Sequence, residues 1–211
     1  MEKEYVRINR ETYNNLANEY NERNYAVDDD FYKNVMFKEL DFKPGKRILE
    51  IGPGRGARLK NFVDYGMDVT AIELSSAMAD IVRSKVPEAN IINKNVLECK
   101  FDCEFDFIYM EAVIHNFPKD DAEELLNLIK SWLKDGGIII CTTTVESVDS
   151  EGYEAKDDYA NPEKRFRHRY TEESLFELFN KSGLRIYDKK YKEEKDEKRN
   201  KMWQIIYAQK D

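Results

Sequence analysis

The stretch "ILEIGPGRGARLK", residues 48 to 60, places three glycines at alternate positions directly after a run of strand-forming residues. The aliphatic residues predict a strand over 46–51, and the apolar spacing behind the turn predicts a helix over 55–65. A bare turn of this kind presents backbone amides at the helix N-terminus, and a ligand can approach it without meeting a Cβ. The turn therefore predicts a binding site for a small group that bears negative charge.

Strands and helices alternate through the middle of the chain. Further strands are predicted over 67–73, 89–95, 105–110 and 137–145, with helices over 76–85 and 119–134. The fifth strand, "GIIICTTTV", is aliphatic and β-branched throughout, which is typical of a strand covered on both faces. This alternation predicts a doubly wound α/β domain, with a parallel sheet, right-handed crossovers and helices on both faces.

Both ends of the chain depart from this alternation. Apolar residues of the first 42 positions, among them Leu16 and Ala17, share one stripe with Tyr13 and Tyr20 and predict a helical N-terminal cap. At the other end we expect a helix from Thr171, with a glutamate at a capping-box position, and then a strand over 184–191. A last strand, 202–209, follows directly and must therefore run antiparallel.

Two segments have no strand or helix pattern. We interpret residues 146–170 as a lid or substrate loop, and the charged run 192–200 as a solvated turn. The chain of 211 residues is expected to form one domain, 1–211, built around a core over 46–145 and a C-terminal part over 171–211.

The composition of the chain limits the classes of partner that it can attract. The formal net charge of −8 disfavours long-range attraction to nucleic acid or to anionic membranes. The N-terminus has no apolar signal, and the longest apolar run, near 137–141, is too short to cross a bilayer, so a cytoplasmic location is expected. Cys99, Cys103 and Cys141 are accompanied by two histidines, which predicts ordinary thiols and no metal site.

The glycine turn also fits a dinucleotide fingerprint. Gly52, Gly54 and Ala57 satisfy G-x-G-x-x-G/A, and Glu73 lies about twenty residues on, where a carboxylate accepts hydrogen bonds from ribose hydroxyls. An NAD-dependent oxidoreductase is therefore one alternative. A Walker loop is excluded, because Arg58 and Leu59 stand where Lys and Ser or Thr are needed.

Several stretches together resemble the class I S-adenosylmethionine-dependent methyltransferases. They are "ILEIGPGRG", "AIELSSAM", "NVLECKFDCEFDFIYMEAVIHNFP" and "WLKDGGIII", within residues 46 to 145. The family's first motif, E/D-x-G-x-G-x-G, is matched by Glu50, Gly52, Gly54 and Gly56, and two of these have no use in the dinucleotide interpretation. The resemblance implies a Rossmann-like, seven-stranded, mostly parallel sheet with an antiparallel C-terminal hairpin strand. It also implies S-adenosyl-L-methionine as cofactor and S-adenosyl-L-homocysteine as product.

The resemblance assigns the methionine and ribose parts of the cofactor to the first two strands. Gly52 and Gly54 would let the backbone lie against the methionine part, while Glu50 helps to position its amino end. Glu73 would hold the two ribose hydroxyls, and Leu74 would pack on the adenine.

The rest of the cofactor site is assigned in the same way. Met78 would close the other side of the adenine, or is a core methionine. Asn95 and Val96 stand where the family has Asp and a small residue, and the Asn95 oxygen can still accept from the adenine amino group. Met110 would lie near the transferable methyl group.

Two residues after the fourth strand are candidates for catalysis. His115 belongs to the loop that faces the methyl group in this fold, and a histidine is suited to proton transfer near neutral pH. The alternative is a structural histidine that hydrogen-bonds a loop carbonyl. Glu111 has the same ambiguity.

The basic segment "RFRHRY" also has two interpretations. Arg165, Arg167, His168 and Arg169 either clamp an anionic group of the acceptor or pair with acidic residues of the same segment and of the following helix. We expect a methyltransferase for a small-molecule acceptor, with nucleic acid an unlikely partner and no membrane. A tRNA-nucleotide methyltransferase and a cofactor-binding subunit without catalysis are the remaining alternatives.

Overall fold

The computed structural model describes residues 2–23, 31–102, 104–156, 159–160, 162–195 and 200–211. The α-helices are α1 (Glu4–Glu22), α2 (Ala57–Asp64), α3 (Ser76–Lys85), α4 (Lys119–Trp132) and α5 (Glu172–Ser182). Short helical turns are formed by Tyr32–Met36, Val96–Glu98 and Ile114–Asn116. The strands are β1 (Arg47–Ile51), β2 (Asp68–Glu73), β3 (Asn90–Asn93), β4 (Phe105–Glu111), β5 (Leu133–Thr144), β6 (Ser150–Lys156), β7 (Glu163–Arg169), β8 (Arg185–Lys195) and β9 (Asn200–Gln209).

Seven strands form the main sheet, in the order β3-β2-β1-β4-β5-β9-β8. The first five strands run parallel, while β9 is antiparallel to both β5 and β8. The expected doubly wound, mostly parallel sheet with an antiparallel C-terminal hairpin strand is confirmed. In such a sheet the order reverses at β1 and β4, and ligands bind beyond the carboxyl ends of the strands at that point.

Alternate residues of each strand face two separate cores. Leu49 and Ile51 belong to a cluster that includes the buried faces of α4 and α5, whereas Ile48 belongs to a cluster with α2 and the Tyr32–Met36 turn. Each fully buried aliphatic side chain contributes about 1.5–3 kcal/mol relative to an exposed one. Because both faces of the sheet are covered, the strand ends remain as the place for a site.

The segment 146–170, expected to be a loop, instead contains an antiparallel hairpin of β6 and β7, with Tyr153 opposite Phe166. Its charged sequence has low β-propensity, and contacts with α1 decide its structure. The Phe166 backbone N–H donates to Asn9 Oδ1 at 2.8 Å, and the Thr12 hydroxyl donates to the Lys164 carbonyl. A helix placed early in the sequence therefore organises a segment about 150 residues further on.

Three smaller expectations are corrected. The N3 residue of α5 is Ser174 and not a glutamate, and its side chain closes the capping box with Thr171. The charged run 192–200 is not wholly a turn, because β8 continues to Lys195 and β9 begins at Asn200; its middle, 196–199, lies outside the described residues. Helix α4 ends at Trp132, two residues early, because β5 begins at once.

The expected N-terminal helix is present as α1, which buries Leu16 and Ala17 while Tyr13 and Tyr20 are half-buried. Its Asn14 Oδ1 accepts hydrogen bonds from Ser75 Oγ at 2.6 Å and from the Ala77 backbone N–H at 3.2 Å. These contacts fix α1 over the N-terminus of α3. In the described part of the chain, no helix is long and apolar enough to span a membrane.

Candidate active site

A cavity of about 630 Å³ lies at the carboxyl ends of β1, β2 and β4 and is bounded by α1 and by residues of β6 and β7. The volume is in the range of sites that hold cofactors and drug-sized molecules. Predicted site residues that line it are Glu50, Gly52, Gly54, Glu73, Leu74, Met78, Asn95, Val96, Glu111 and His115. Gly56 and Met110 do not line it.

The glycine turn is shaped for close approach. Gly52 has φ +68°, and a Cβ on it would lie 2.6 Å from a methyl carbon of Val113. At Gly54, with φ +56°, a Cβ would lie 3.4 Å from the hydroxyl of Tyr20. Gly56 caps α2 in the left-handed conformation and packs against α3, so its role is to turn the chain.

Two buried carboxylates end the strands beside this turn. Burial raises the pKa of Glu73 to about 7, although the Ser75 backbone N–H donates to Glu73 Oε1 at 2.9 Å. Burial and then the charge of Glu111 raise the pKa of Glu50 to about 8, against the opposing effect of Arg58. Glu50 Oε2 is buried, and no described residue gives it a hydrogen bond. A ligand that donates hydrogen bonds or carries positive charge would favour the ionised forms of both.

The predicted adenine region is compact. Met78 and Val96 are buried, and Leu74 packs against the core while lining the cavity. Asn95 Oδ1 accepts from the Leu97 backbone N–H at 3.2 Å and so caps the Val96–Glu98 turn. An amide oxygen has two lone pairs, and the hydrogen bonds of the described residues use one of them here. Met110 is fully buried in the core, one residue before the cavity-lining Glu111.

Glu111 is held by a network that sequence patterns did not reveal. It accepts hydrogen bonds from the hydroxyls of Tyr32 and of Tyr109, the latter at 2.7 Å. The Arg58 guanidinium lies 3.2 Å from the centre of the Tyr32 ring, and its Nε is 3.9 Å from Glu111 Oε2. In the sequence, the one indication of this network is a charged residue, Arg58, next to Leu59 in the stripe of α2 that is buried.

His115 lies in the Ile114–Asn116 turn that follows β4. Its Nδ1 is 2.9 Å from the hydroxyl of Thr143, so its partner is a side chain on β5 and not a loop carbonyl. Burial, followed by the charges of Arg167, Arg165 and Lys156, holds the pKa of His115 well below its usual 6.5. The imidazole is therefore uncharged at neutral pH.

The loop before His115 is strained. Ala112 has φ +59°, a left-handed conformation that costs a non-glycine residue about 1 kcal/mol. Its carbonyl accepts from Asn116 Nδ2 at 3.2 Å, and its N–H donates to the Thr142 carbonyl at 2.8 Å. Strain of this kind clusters at functional sites.

The structure has features of both interpretations of the basic segment. Arg165 and Arg167 line the cavity. His168 Nε2 lies 2.9 Å from Asp149 Oδ1, and Arg169 pairs with Glu154, a carboxylate that Arg165 and Arg167 also contact.

Cys99 and Cys141 are free and buried, and Cys103 lies outside the described residues. No group of three potential metal ligands is found among the residues that the structure describes.

Comparison with known proteins identifies the family. A family model described as a methyltransferase domain matches residues 19–189. A ribosomal RNA small subunit methyltransferase A of Malacoplasma penetrans is 28% identical over 104 residues, 49% of this chain and 38% of that protein. An uncharacterized methyltransferase of Alkaliphilus oremlandii is 27% identical over 141 residues, 62% of this chain and 65% of that protein. The chain thus spans less than two thirds of either relative.

The fold agrees. A solved structure of the 1,6-didemethyltoxoflavin-N1-methyltransferase of Burkholderia thailandensis, with bound 1,6-didemethyltoxoflavin and S-adenosylhomocysteine, superposes with a TM-score of 0.75. It is 20% identical, and the match covers 98% of this chain and 89% of that one. The family match removes the support for an NAD-dependent oxidoreductase. The chain therefore belongs to the methyltransferase domain family, and the resemblance to the class I S-adenosylmethionine-dependent methyltransferases is confirmed.

Proposed function

We propose that the chain transfers the methyl group of S-adenosylmethionine to a small molecule held in the cavity between the glycine turn, α1 and β7. The observation that carries the proposal is the pair of buried carboxylates, Glu50 and Glu73, beside a turn whose glycines leave no Cβ in the cavity. The cap formed by α1 and the β6–β7 hairpin is the acceptor side of a single domain.

The cavity residues fit this cofactor. Glu50 Oε2, which has no hydrogen-bond partner among the described residues, would accept from the ammonium of the methionine part, and Glu73 would accept from the ribose hydroxyls. Leu74 and Met78 offer apolar surface to the adenine, and the free lone pair of Asn95 would accept from its amino group.

When bound, the cofactor would supply an electrophilic methyl carbon: an acceptor lone pair would form the new bond to that carbon in line with the breaking carbon–sulfur bond, and S-adenosylhomocysteine, a thioether, would leave. The chain contributes mainly by positioning, an effect worth up to about 7 to 11 kcal/mol in the best intramolecular models. The strained Ala112 loop and the Glu111 network hold the cavity wall after β4 in one geometry.

Proton removal from the acceptor falls to His115. It is uncharged at neutral pH, and in the tautomer whose Nδ1–H donates to the Thr143 hydroxyl, Nε2 has the lone pair that can accept a proton. Glu111 is engaged by two tyrosine hydroxyls, so we assign it a positioning role.

A small acceptor is favoured over RNA because the cavity is covered by α1 and the hairpin, and because the chain carries a net charge of −8. The match to a ribosomal RNA methyltransferase covers 49% of this chain. That match makes RNA the alternative acceptor to be tested.

Calorimetry with S-adenosylhomocysteine tests the cofactor assignment. We expect binding by the wild-type chain and at least tenfold weaker binding by Glu73→Gln, with Glu88→Gln as the matched control at an exposed position. Absence of heat with the wild-type chain would reject the proposed cofactor.

Methyl-labelled S-adenosylmethionine, added with the protein to cell extract, tests the acceptor class. We expect label in the low-molecular-mass filtrate and a loss of that label with Glu73→Gln. Label that is retained with RNA and released by nuclease would overturn the small-molecule assignment and favour the RNA alternative.

A further inference from the structure

One wall of the cavity is built from basic residues of the β6–β7 hairpin. This basic wall consists of Lys156, Arg165 and Arg167, and all three line the cavity. Lys156 and Arg165 are more than nine-tenths buried, and the Arg167 side chain is 14% exposed. Cations that are buried to this extent are costly unless negative charge lies near them.

The two arginines of this wall have little negative charge beside them in the described part of the chain. Among the described residues, the carboxylate within 4 Å of these arginines is that of Glu154, 3.1 Å from Arg165 Nη2 and 3.8 Å from Arg167 Nη1. The same carboxylate also pairs with Arg169. Among the described residues, one acid is thus shared by three arginines.

The two cavity-lining arginines also have unused donors. Arg167 Nη2 donates to the Thr144 hydroxyl at 2.7 Å. The Nε atoms of Arg165 and Arg167 are both buried and have no hydrogen-bond partner in the described part of the chain. A buried donor without an acceptor is unfavourable, and an oxyanion is the acceptor that guanidinium groups bind best.

We propose that the basic wall binds an oxyanion, a carboxylate or phosphate, that belongs to the methyl acceptor. This inference rests on the proposed function, because it concerns the acceptor side of the same cavity. Tyr5, Tyr13 and Phe117 line the cavity as well. The acceptor is accordingly an amphipathic molecule with an apolar or aromatic body and one terminal anionic group.

Binding of such a group also acts on His115. The three cations of the wall are the charges that, after burial, hold the pKa of His115 low. An anion placed among them reduces their effect, so the pKa of His115 rises when the acceptor is bound. The base then gains proton affinity when a substrate is present.

The experiment uses the full chain saturated with S-adenosylhomocysteine and three matched probes: benzoate, phenyl phosphate and the neutral benzamide. Binding is measured by calorimetry and by the ¹⁵N shifts of His115. We expect benzoate or phenyl phosphate to bind at least tenfold more tightly than benzamide and to shift the His115 titration to higher pH. Preference for one anion identifies the acceptor as a carboxylate or a phosphate.

Variants locate the binding. Arg165→Gln and Arg167→Gln should each weaken anion binding at least tenfold, whereas Lys164→Gln, an exposed charge in the same strand, should leave it unchanged. Retained affinity for S-adenosylhomocysteine shows that a variant is folded. Arg167 is the less buried of the two arginines. If Arg165→Gln does not fold, the anion binding of Arg167→Gln therefore tests the inference.

Three outcomes overturn the inference: benzamide binds as tightly as the anions, neither anion binds, or both arginine variants bind the anions as the wild-type chain does. These outcomes are separate from failure of the proposed function. A protein that does not bind S-adenosylhomocysteine rejects the cofactor, whereas one that binds it without discriminating the probes rejects the oxyanion site alone.

Discussion

Replacement of Glu73 by Gln should make the ligand-free protein more stable at alkaline pH while it weakens cofactor binding. Glu73 is buried, and its pKa is raised from 4.5 to about 7. A carboxyl group with a raised pKa binds its proton more tightly in the folded state. Its contribution to the free energy of unfolding is therefore complete below about pH 4.5 and is lost as the pH rises through about 7.

The magnitude follows from the pKa difference. One pKa unit corresponds to about 1.4 kcal/mol, so the wild-type protein should lose about 3 kcal/mol at this site between pH 4.5 and 8. Gln does not titrate, yet its side-chain oxygen can still accept from the Ser75 N–H. The variant should therefore gain about 3 kcal/mol relative to wild type over this pH range.

Urea unfolding at a series of pH values, without ligand, measures this difference directly. Because the comparison is between two pH values, any constant effect of the substitution cancels. Glu88→Gln is the exposed control and should show no such trend. A difference between wild type and Glu73→Gln that stays constant from pH 4.5 to 8 would refute the assignment of a buried carboxyl with a raised pKa.

Three further perturbations have defined outcomes. Gly52→Ala should destabilise the protein by about 2–4 kcal/mol, because left-handed backbone strain adds to the contact with Val113, and Val113→Ala should partly relieve the loss in urea unfolding. Asp106→Asn should lower the free energy of unfolding by about 1–2 kcal/mol at pH 7. Burial raises the pKa of Asp106, but hydrogen bonds from a backbone N–H and two lysines outweigh it and lower that pKa to about 2. That cost should shrink in unfolding experiments as the pH falls through about 2, where the protonated carboxyl no longer contributes. In ¹⁵N spectra, with His168→Gln for assignment, His115 should remain neutral below pH 6; protonation near 6.5 would contradict its burial.

Local patterns were sufficient for the central sheet. Strand-forming runs, the glycine turn and the α4 stripe depend on nearest neighbours along the chain, and the structure has them within a few residues of the expected bounds. The motif around Gly52 and the acid at Glu73 could be identified for the same reason, since a turn and the strand beside it impose their own residue types.

Other parts of the site depend on contacts between distant segments. Residues 150–156 and 163–169 are charged and weakly strand-forming, and they pair because α1 supplies Asn9 and Thr12 to β7. No spacing in the sequence indicated that Tyr32 and Arg58 would meet at Glu111, since these residues are brought together by packing on one face of the sheet.

The sequence by itself determined the sheet, the glycine turn and the family, because each is encoded by residues that are close along the chain. Tertiary structure alone decided which half of the basic segment faces the cavity and why His115 is uncharged. Both depend on how α1, β5 and β7 surround the end of β4, and burial and net charge there are sums over residues far apart in sequence.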